Sequence, residues 1–168
     1  MSRHPRLRPS PEVRESTRDP QRQRFSRCPF AICPLAPGQL VLGADQVLEY
    51  EGWLFDKPVD RASARAQLLA LAGRRHRLIS AAVAMQDGEH AWQHTDTARP
   101  TMLALSPAFV EFYLDAVDQA AFARVGSYQL EGLGIQLFRA IDGDFFTIMG
   151  LPLLPLLDFL RERGILAA

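Results

Sequence analysis

Two residues of this chain, a carboxylate and a lysine, have the types and the spacing needed for chemistry on a phosphate. Asp45 follows an apolar run at 40–42, and Lys57, the only lysine of the sequence, stands just before Pro58. A carboxylate can accept a proton from an attacking water, and a compact ammonium group can neutralise phosphate charge. We interpret Asp45 and Lys57 as a candidate catalytic pair.

A β-hairpin is the element that has to bring these two side chains together. The run at 40–42 predicts a buried strand that delivers Asp45 to its C-terminal end, where open α/β sheets bind ligands. After Asp45 polar and apolar residues alternate up to a Glu51-Gly52 turn, which is a hairpin signal. The turn predicts three cross-strand pairs: Tyr50 with Trp53, Leu48 with Phe55, and Gln46 with Lys57.

The candidate chemical residues also have ordinary structural interpretations. Asp45 can cap the end of a strand, and Lys57 can be a solvent-exposed surface charge. His90 and His94 are four residues apart, a spacing that suits a metal only on a helix. Because the sequence predicts a strand there and places no third ligand, a solvated strand face is the favoured interpretation of the two histidines.

Helix and strand patterns follow one another along the rest of the chain. The first helix begins at Asp60 or Ser63 and ends near Ala72, where Gly73 is a suitable stop. A second helix begins at Ser106-Pro107, a capping hydroxyl followed by proline at the first helical position. Further strands are predicted at 76–85, 90–97 and 135–141, and a final helix at 152–163.

The composition is that of a one-domain globular protein with an unusual first segment. The chain has 168 residues, 48% of them hydrophobic, and no net charge. Residues 1–36 contain eight arginines and three acidic residues, whereas the remainder has an acidic excess. We predict a disordered Arg/Pro-rich segment at 1–36 and a single α/β domain at 37–168. A basic nucleic-acid-binding arm is the less favoured interpretation, because the segment lacks interleaved aromatic residues that stack on bases.

Cysteine content and hydropathy predict an intracellular protein. Cys28 and Cys33 are the only cysteines, and without a second pair they do not complete a zinc site, so we interpret them as free thiols. No run approaches the roughly 18 apolar residues of a membrane span, and the first residues lack the apolar core of a secretory signal. We therefore expect a cytoplasmic protein with no membrane partner.

Five stretches in sequence order resemble the Maf family of nucleoside triphosphate pyrophosphatases. They are Ala-Asp-Gln-Val at 44–47 with Phe-Asp-Lys-Pro at 55–58, Gly-Arg-Arg-His-Arg at 73–77, Gly-Ser-Tyr-Gln-Leu-Glu-Gly at 126–132, Ile-Asp-Gly-Asp at 141–144, and Gly-Leu-Pro-Leu at 150–153. The resemblance extends from about residue 40 to 166. It implies a three-layer α/β/α fold with a mixed twisted sheet. The implied reaction cleaves a nucleoside triphosphate between its α- and β-phosphates, giving a monophosphate and pyrophosphate.

The resemblance also implies roles for four residues. Asp45 corresponds to the proton acceptor that activates the water, and Lys57 is expected to neutralise phosphate charge. A divalent cation, Mg²⁺ or Mn²⁺, is the implied cofactor, with Asp45 and the phosphates as candidate ligands. Gln46 and Glu131 resemble the residues of the subgroup that prefers 7-methyl-GTP. A carboxylate at 131 can accept hydrogen bonds from the guanine N1–H and amino groups, and it favours the positive charge of a methylated purine.

One part of the family pattern is not found in this sequence. Maf proteins begin with a strand and a Ser-x-Ser-x-Arg-Arg loop that grips phosphate, and residues 1–36 contain no match to that loop. The alternative function is therefore that of a catalytically impaired Maf-like protein that binds nucleotides or regulates. The expected partners are a nucleoside triphosphate and, in a homodimer, a second copy of the chain; nucleic acid is not an expected partner.

Overall fold

An antiparallel sheet is the centre of the structure. The computed structural model of the protein describes residues 37–117 and 124–167. The strands in this part are β1 (Leu40–Tyr50), β2 (Trp53–Phe55), β3 (Arg77–Gln86), β4 (Glu89–Met102) and β5 (Phe138–Asp142). They pair in the order β2-β1-β3-β4-β5, and every pairing is antiparallel.

Helices accompany the sheet and give the protein its α/β class. In the described residues they are α1 (Arg61–Leu71), α2 (Pro107–Ala116), α3 (Phe145–Ile148) and α4 (Leu153–Glu162), with 3₁₀ segments at Val125–Ser127 and Leu133–Leu137. The predicted α/β class is confirmed. The family resemblance implied a mixed sheet, which contains both parallel and antiparallel strand pairs. Within residues 37–117 and 124–167 no strands pair in parallel. The predicted disordered segment, and the N-terminal strand and phosphate loop, concern residues 1–36, which lie outside the described residues.

The β1–β2 hairpin has the predicted register over its closed end. Tyr50 pairs with Trp53 and Leu48 pairs with Phe55. The turn residues Glu51 and Gly52 both have positive φ, 53° and 83°, which is the conformation of a tight two-residue hairpin turn. The third predicted pair, Gln46 with Lys57, does not form, because β2 ends at Phe55.

β1 is longer than the sequence predicted. The ladder between β1 and β3 runs without interruption from Leu40 opposite Gln86 to Glu49 opposite Arg77. Asp45 therefore lies in the middle of a strand and not at its C-terminal end, so the predicted strand-end position is wrong. The run at 40–42 is not a buried strand either, since the Leu42 side chain is 46% exposed.

The strand predicted at 135–141 begins later. Residues Leu133–Leu137 form a 3₁₀ segment, and β5 spans only Phe138–Asp142. The reason is a close approach of two backbone segments, because a Cβ on Gly134 would lie 2.4 Å from the carbonyl oxygen of Gln129. Gly134 packs against the backbone of Gln129, so this segment cannot take the extended conformation of a strand until Phe138.

The predicted helix starts are confirmed at atomic detail. The Asp60 side chain accepts a hydrogen bond from the Ser63 backbone N–H at 2.7 Å, and the Asp60 N–H donates to the Ser63 hydroxyl at 3.1 Å. Asp60 and Ser63, predicted as alternative caps, thus form one reciprocal capping box. Ser106 caps α2 through the Phe109 N–H, with Pro107 in the first turn.

The main core lies between the sheet and helices α1 and α2. Its fully buried side chains come from β1, β3 and β4 and from both helices; among them are Leu48, Leu78, Met102, Leu68, Leu71, Val110 and Tyr113. A smaller cluster joins α4 to the sheet, where the rings of Trp92 and Phe159 stack with centroids 5.2 Å apart. These contacts fix the α1–α2 layer and α4 against the sheet.

Gly134→Ala tests the close backbone approach that delays β5. The added methyl would lie 2.4 Å from one backbone atom of Gln129 and 2.7 Å from another, so the backbone must move. We expect a loss of about 1–3 kcal/mol in the free energy of unfolding, measured by denaturant titration. Gly132→Ala is the matched control, because its nearest atom would be 3.9 Å away. Equal stability of the two variants would contradict the packing argument.

Candidate active site

The structure gathers the four predicted site residues in one pocket of about 290 Å³. Asp45, Gln46, Lys57 and Glu131 all line it. The other lining residues come from β1, the start of β3, the segment 124–130 around the 3₁₀ turn, and the end of α3 with the two residues after it: Ala44, Leu78, Arg124, Val125, Tyr128, Gln129, Leu130, Ile148, Met149 and Gly150. The pocket thus carries two acids and two cations, a set suited to a ligand with charged groups.

The pocket lies where β1 is open along one edge in the described residues. β2 pairs only with Leu48, Glu49 and Tyr50, so the preceding part of β1 has a described partner only in β3. Neighbouring residues of a strand point to opposite faces, and Asp45 and Gln46 are therefore on opposite faces of β1. Both can border a pocket that opens at the edge of the strand.

Asp45 and Lys57 meet at this pocket although they are not paired across the hairpin. The Asp45 carboxylate accepts a hydrogen bond from the Gln46 backbone N–H at 2.9 Å, and the residue is exposed. Lys57 is also exposed, and its ammonium group forms no ion pair within the described residues. The strand-end cap interpretation of Asp45 is removed by its mid-strand position, whereas the catalytic role of either residue stays a prediction.

Gln46 is the most firmly held of the four predicted residues. Its side-chain Nε2 donates to the Ser80 hydroxyl and to the backbone carbonyls of Thr147 and Ile148, all at 2.9 Å. Gln46 thereby ties β1 to β3 and to α3. Its carbonyl oxygen Oε1 accepts no hydrogen bond from the described residues, so the open polar atom of this side chain at the pocket is an acceptor.

Glu131 has a basic neighbour that sequence reasoning missed. The guanidinium of Arg124 is 3.9 Å from the Glu131 carboxylate, and both side chains are about half exposed and line the pocket. The only sequence signal for Arg124 is its place two residues before Gly126, at the start of the glycine-flanked stretch. Arg124 gives the pocket a second cation besides Lys57.

A buried pair of polar rings forms one wall of the pocket. The Tyr128 hydroxyl is 2.7 Å from Nε2 of His76, and Tyr128 lines the pocket whereas His76 lies behind it. Burial lowers the pKa of His76 to about 4, so the imidazole is neutral, and burial raises the pKa of Tyr128. At neutral pH both side chains are therefore uncharged, and the pair contributes a hydrogen bond to the pocket wall but no charge.

The glycines of the stretch 126–132 are explained by protein packing. Gly126 has a φ of 81°, and a Cβ there would lie 2.5 Å from the Tyr128 ring and 2.8 Å from Leu48. This conformation turns the chain so that Tyr128 meets His76 and Glu131 reaches the pocket. The close approach at Gly126 is therefore to protein atoms, the Tyr128 ring and the Leu48 side chain.

The described residues contain no group of three or more His, Cys, Asp or Glu side chains able to hold a metal by themselves. That is compatible with Mg²⁺, which keeps several waters and uses one or two carboxylates together with substrate phosphates. Asp45 is a carboxylate at the pocket that fits such a site. His90 and His94 lie on β4, and the ring of His94 stacks on Trp92, as expected for a strand face.

None of the helices in residues 37–117 and 124–167 has the length and apolar character needed to cross a membrane.

Fold and site together define an α/β protein with a mixed-charge pocket at a sheet edge. The chain belongs to the Maf-like protein family, whose model matches residues 8–163. This confirms the resemblance seen in the five stretches. The match begins well before residue 40, so it also includes most of the segment in which the sequence showed no phosphate loop.

Curated relatives carry names that describe an activity. The chain is 58% identical over 128 residues to a nucleoside triphosphate pyrophosphatase of Paramagnetospirillum magneticum, covering 76% of this chain and 66% of that protein. It is 50% identical over 138 residues to one of Rhodopseudomonas palustris, covering 82% and 68%. It is 54% identical over 128 residues to a 7-methyl-GTP pyrophosphatase of Mesorhizobium japonicum, covering 76% and 64%. The matched part thus spans about two thirds of the length of these relatives.

The neutral, buried His76 predicts a pH-dependent share of stability. Its pKa is about 4 in the folded protein and near 6.5 in an unfolded chain, so between these values the unfolded chain binds the extra proton. Stability is therefore lost as the pH falls from about 6.5 towards 4. Between pH 7 and pH 5 we expect the free energy of unfolding of His76→Gln to fall by about 2 kcal/mol less than that of the wild type, as measured by denaturant titration. His94→Gln, on the strand face, is the control and should behave as the wild type; an unchanged pH dependence in His76→Gln would contradict the assignment.

Proposed function

We propose that this protein is a nucleoside triphosphate pyrophosphatase that releases a nucleoside monophosphate and pyrophosphate. The observation that carries the proposal is the meeting of Asp45, Lys57 and Glu131 in one pocket of a Maf-like chain. The names of the relatives support the same reaction class. The test is pyrophosphate release from a panel of nucleoside triphosphates with Mg²⁺ or Mn²⁺.

The proposed roles of Asp45 and Lys57 follow from the charge changes of the reaction. A water attacks the α-phosphorus, the bond to the bridging oxygen breaks, and pyrophosphate leaves with that oxygen. Asp45, an exposed carboxylate at the pocket, accepts the proton that the water loses. Lys57 has no ion-pair partner in the described residues, so its charge is available to offset that of the phosphates.

A divalent cation, Mg²⁺ or Mn²⁺, is the proposed cofactor. Such an ion supplies charge neutralisation of the phosphates when it is bound. The described residues provide Asp45 as a carboxylate ligand, and the phosphates of the substrate would complete the coordination.

Guanine nucleotides, including 7-methylated ones, are the proposed substrate class. The pocket offers two acceptors for a base edge, the Glu131 carboxylate and the Gln46 Oε1. Guanine presents two neighbouring donors, N1–H and the amino group, whereas uracil and thymine present one N–H between two carbonyls. The acceptors therefore match guanine better, and the carboxylate also favours the positive charge of a 7-methylated ring. The name of the Mesorhizobium relative agrees with this choice.

The catalytically impaired alternative is separated by the same assay. A protein of that kind would bind nucleotides without releasing pyrophosphate, and nothing in the described residues favours it. The cytoplasmic location and the homodimer stay predictions from the sequence.

Asp45→Asn tests the proton acceptor. The amide keeps the shape of the side chain and cannot take the proton, so we expect turnover to fall by about 10²–10⁴ with little change in melting temperature. Pyrophosphate release at saturating GTP is the measurement. Asp158→Asn, an exposed acid on α4, is the control. Near-wild-type turnover of Asp45→Asn would remove this residue from the mechanism.

Glu131→Gln tests the base-reading acceptor. A hydrogen bond to a charged group contributes roughly 1.5–3 kcal/mol, so the ratio of kcat/KM for GTP over UTP should fall by about tenfold or more. The same substitution should reduce the preference for 7-methyl-GTP over GTP, because the negative charge is gone. Glu89→Gln, at the far end of β4, is the control. If both ratios stay unchanged, Glu131 does not read the base.

A further inference from the structure

The amide of Gln46 is held in one orientation by hydrogen-bond acceptors that cannot also donate. Two of its three partners are the backbone carbonyls of Thr147 and Ile148, which have no proton to donate. The atom facing them must therefore be Nε2, and a flipped amide would place an oxygen against two oxygens. Gln46 can offer only its Oε1, an acceptor, to a ligand in the pocket that it lines.

Thr147 is the residue that holds this acceptor set in place. It is fully buried, and its side-chain hydroxyl donates to the Asp96 carboxylate on β4 at 2.9 Å. Its backbone N–H donates to the Asp144 carboxylate at 2.9 Å, and its carbonyl accepts from the Ser80 hydroxyl at 2.6 Å. Because α3 has only four residues, these hydrogen bonds and not helix length fix its position.

We propose that Thr147 is a positioning residue for base selection, acting through Gln46. The Asp96–Thr147 hydrogen bond anchors α3, and the carbonyls at its end lock the Gln46 amide so that only Oε1 faces the base. The proposal rests on the proposed function, because it assumes that a nucleotide base occupies this pocket. Neither Thr147 nor Asp96 lines the pocket.

The chemical consequence is a penalty for bases that present a carbonyl to Gln46. A freely rotating amide could turn its NH₂ group towards a uracil carbonyl, and would then accept pyrimidines and purines alike. A locked amide meets that carbonyl with its own oxygen, so the uracil loses a hydrogen bond that guanine keeps. Loosening α3 should therefore reduce selectivity between bases more than it reduces the rate.

The test is Thr147→Val, which keeps the side-chain shape and removes the hydroxyl that binds Asp96. We expect the ratio of kcat/KM for GTP over UTP to fall about threefold to tenfold, mainly through a lower KM for UTP, with kcat for GTP within about twofold. Thr147→Ser keeps the hydroxyl and should restore the ratio. Thr101→Val, a half-buried threonine of β4 opposite Ala140, is the matched control. If Thr147→Val does not fold, Asp96→Ala removes the same hydrogen bond from its other partner.

A double-mutant cycle separates a positioning role from a general loss of structure. In a Gln46→Leu background there is no amide to lock, so Thr147→Val should change the GTP-to-UTP ratio no further. Additive effects of the two substitutions on the ratio would overturn the proposal. An unchanged ratio in Thr147→Val alone, with a normal melting temperature, would overturn it as well.

Binding of the products distinguishes failure of this inference from failure of the proposed function. Calorimetric titration of the full chain with GMP and UMP measures base selection without turnover. If pyrophosphate release is absent but Thr147→Val lowers the GMP-to-UMP affinity ratio, the positioning role stands and the catalytic proposal fails. If turnover is present and both ratios are unmoved by Thr147→Val, the positioning role is wrong.

Discussion

The ladder between β1 and β3 is the constraint on which the candidate site depends. It joins ten residue pairs in one register, from Leu40 with Gln86 to Glu49 with Arg77. A shift by one residue would move every side chain of β1 to the other face of the sheet. The register places Gln46 opposite Ser80, and so opposite the carbonyls of α3. The ladder also leaves the edge of β1 near Asp45 without a described partner, and the pocket lies at that edge.

The polar groups of the pocket are of two kinds: exposed charged side chains, and side chains already hydrogen-bonded to the protein. Asp45 and Lys57 are exposed, and a ligand can engage both without breaking an ion pair between described residues. Glu131 has Arg124 at 3.9 Å, a distance at which a half-exposed pair contributes little to stability. By contrast, the side-chain NH₂ group of Gln46 already donates its hydrogen bonds to other residues of the protein. The pocket thus combines exposed charged side chains with an acceptor, the Gln46 Oε1, whose amide is held in one orientation.

Two titratable side chains in the wall of the pocket are kept uncharged by burial. His76 and Tyr128 are titratable side chains next to the site, yet desolvation keeps both neutral at physiological pH. They pack with Phe138, whose ring meets that of Tyr128 edge-on at 4.8 Å. This aromatic cluster holds the segment that carries Glu131 against the sheet. Its two polar side chains are uncharged and hydrogen-bond to each other, whereas the charged groups of the pocket are exposed.

Local signals were sufficient for the features that neighbouring residues determine. The Glu51-Gly52 turn predicted the hairpin register because the positive φ of both residues is a local requirement. The caps at Asp60 and Ser106 predicted helix starts because a side-chain oxygen reaches an N–H only three residues away. The hairpin pattern predicted Asp45 and Lys57 as neighbours, the resemblance to the Maf family added Gln46 and Glu131, and all four line one pocket.

Contacts between distant residues decided the rest, and no local pattern encodes them. The end of the first strand was predicted wrongly because its continuation past Asp45 depends on pairing with β3, about thirty residues away. Arg124 shares the pocket with residues of β1 that are distant in sequence, and the Thr147 carbonyl accepts a hydrogen bond from Gln46, 101 positions away. The sequence by itself determined which residue types were available for phosphate chemistry and where turns and helices begin. Only the tertiary structure decided which of those residues share a pocket and which polar atoms remain free, because hydrogen bonds and burial between remote segments set both.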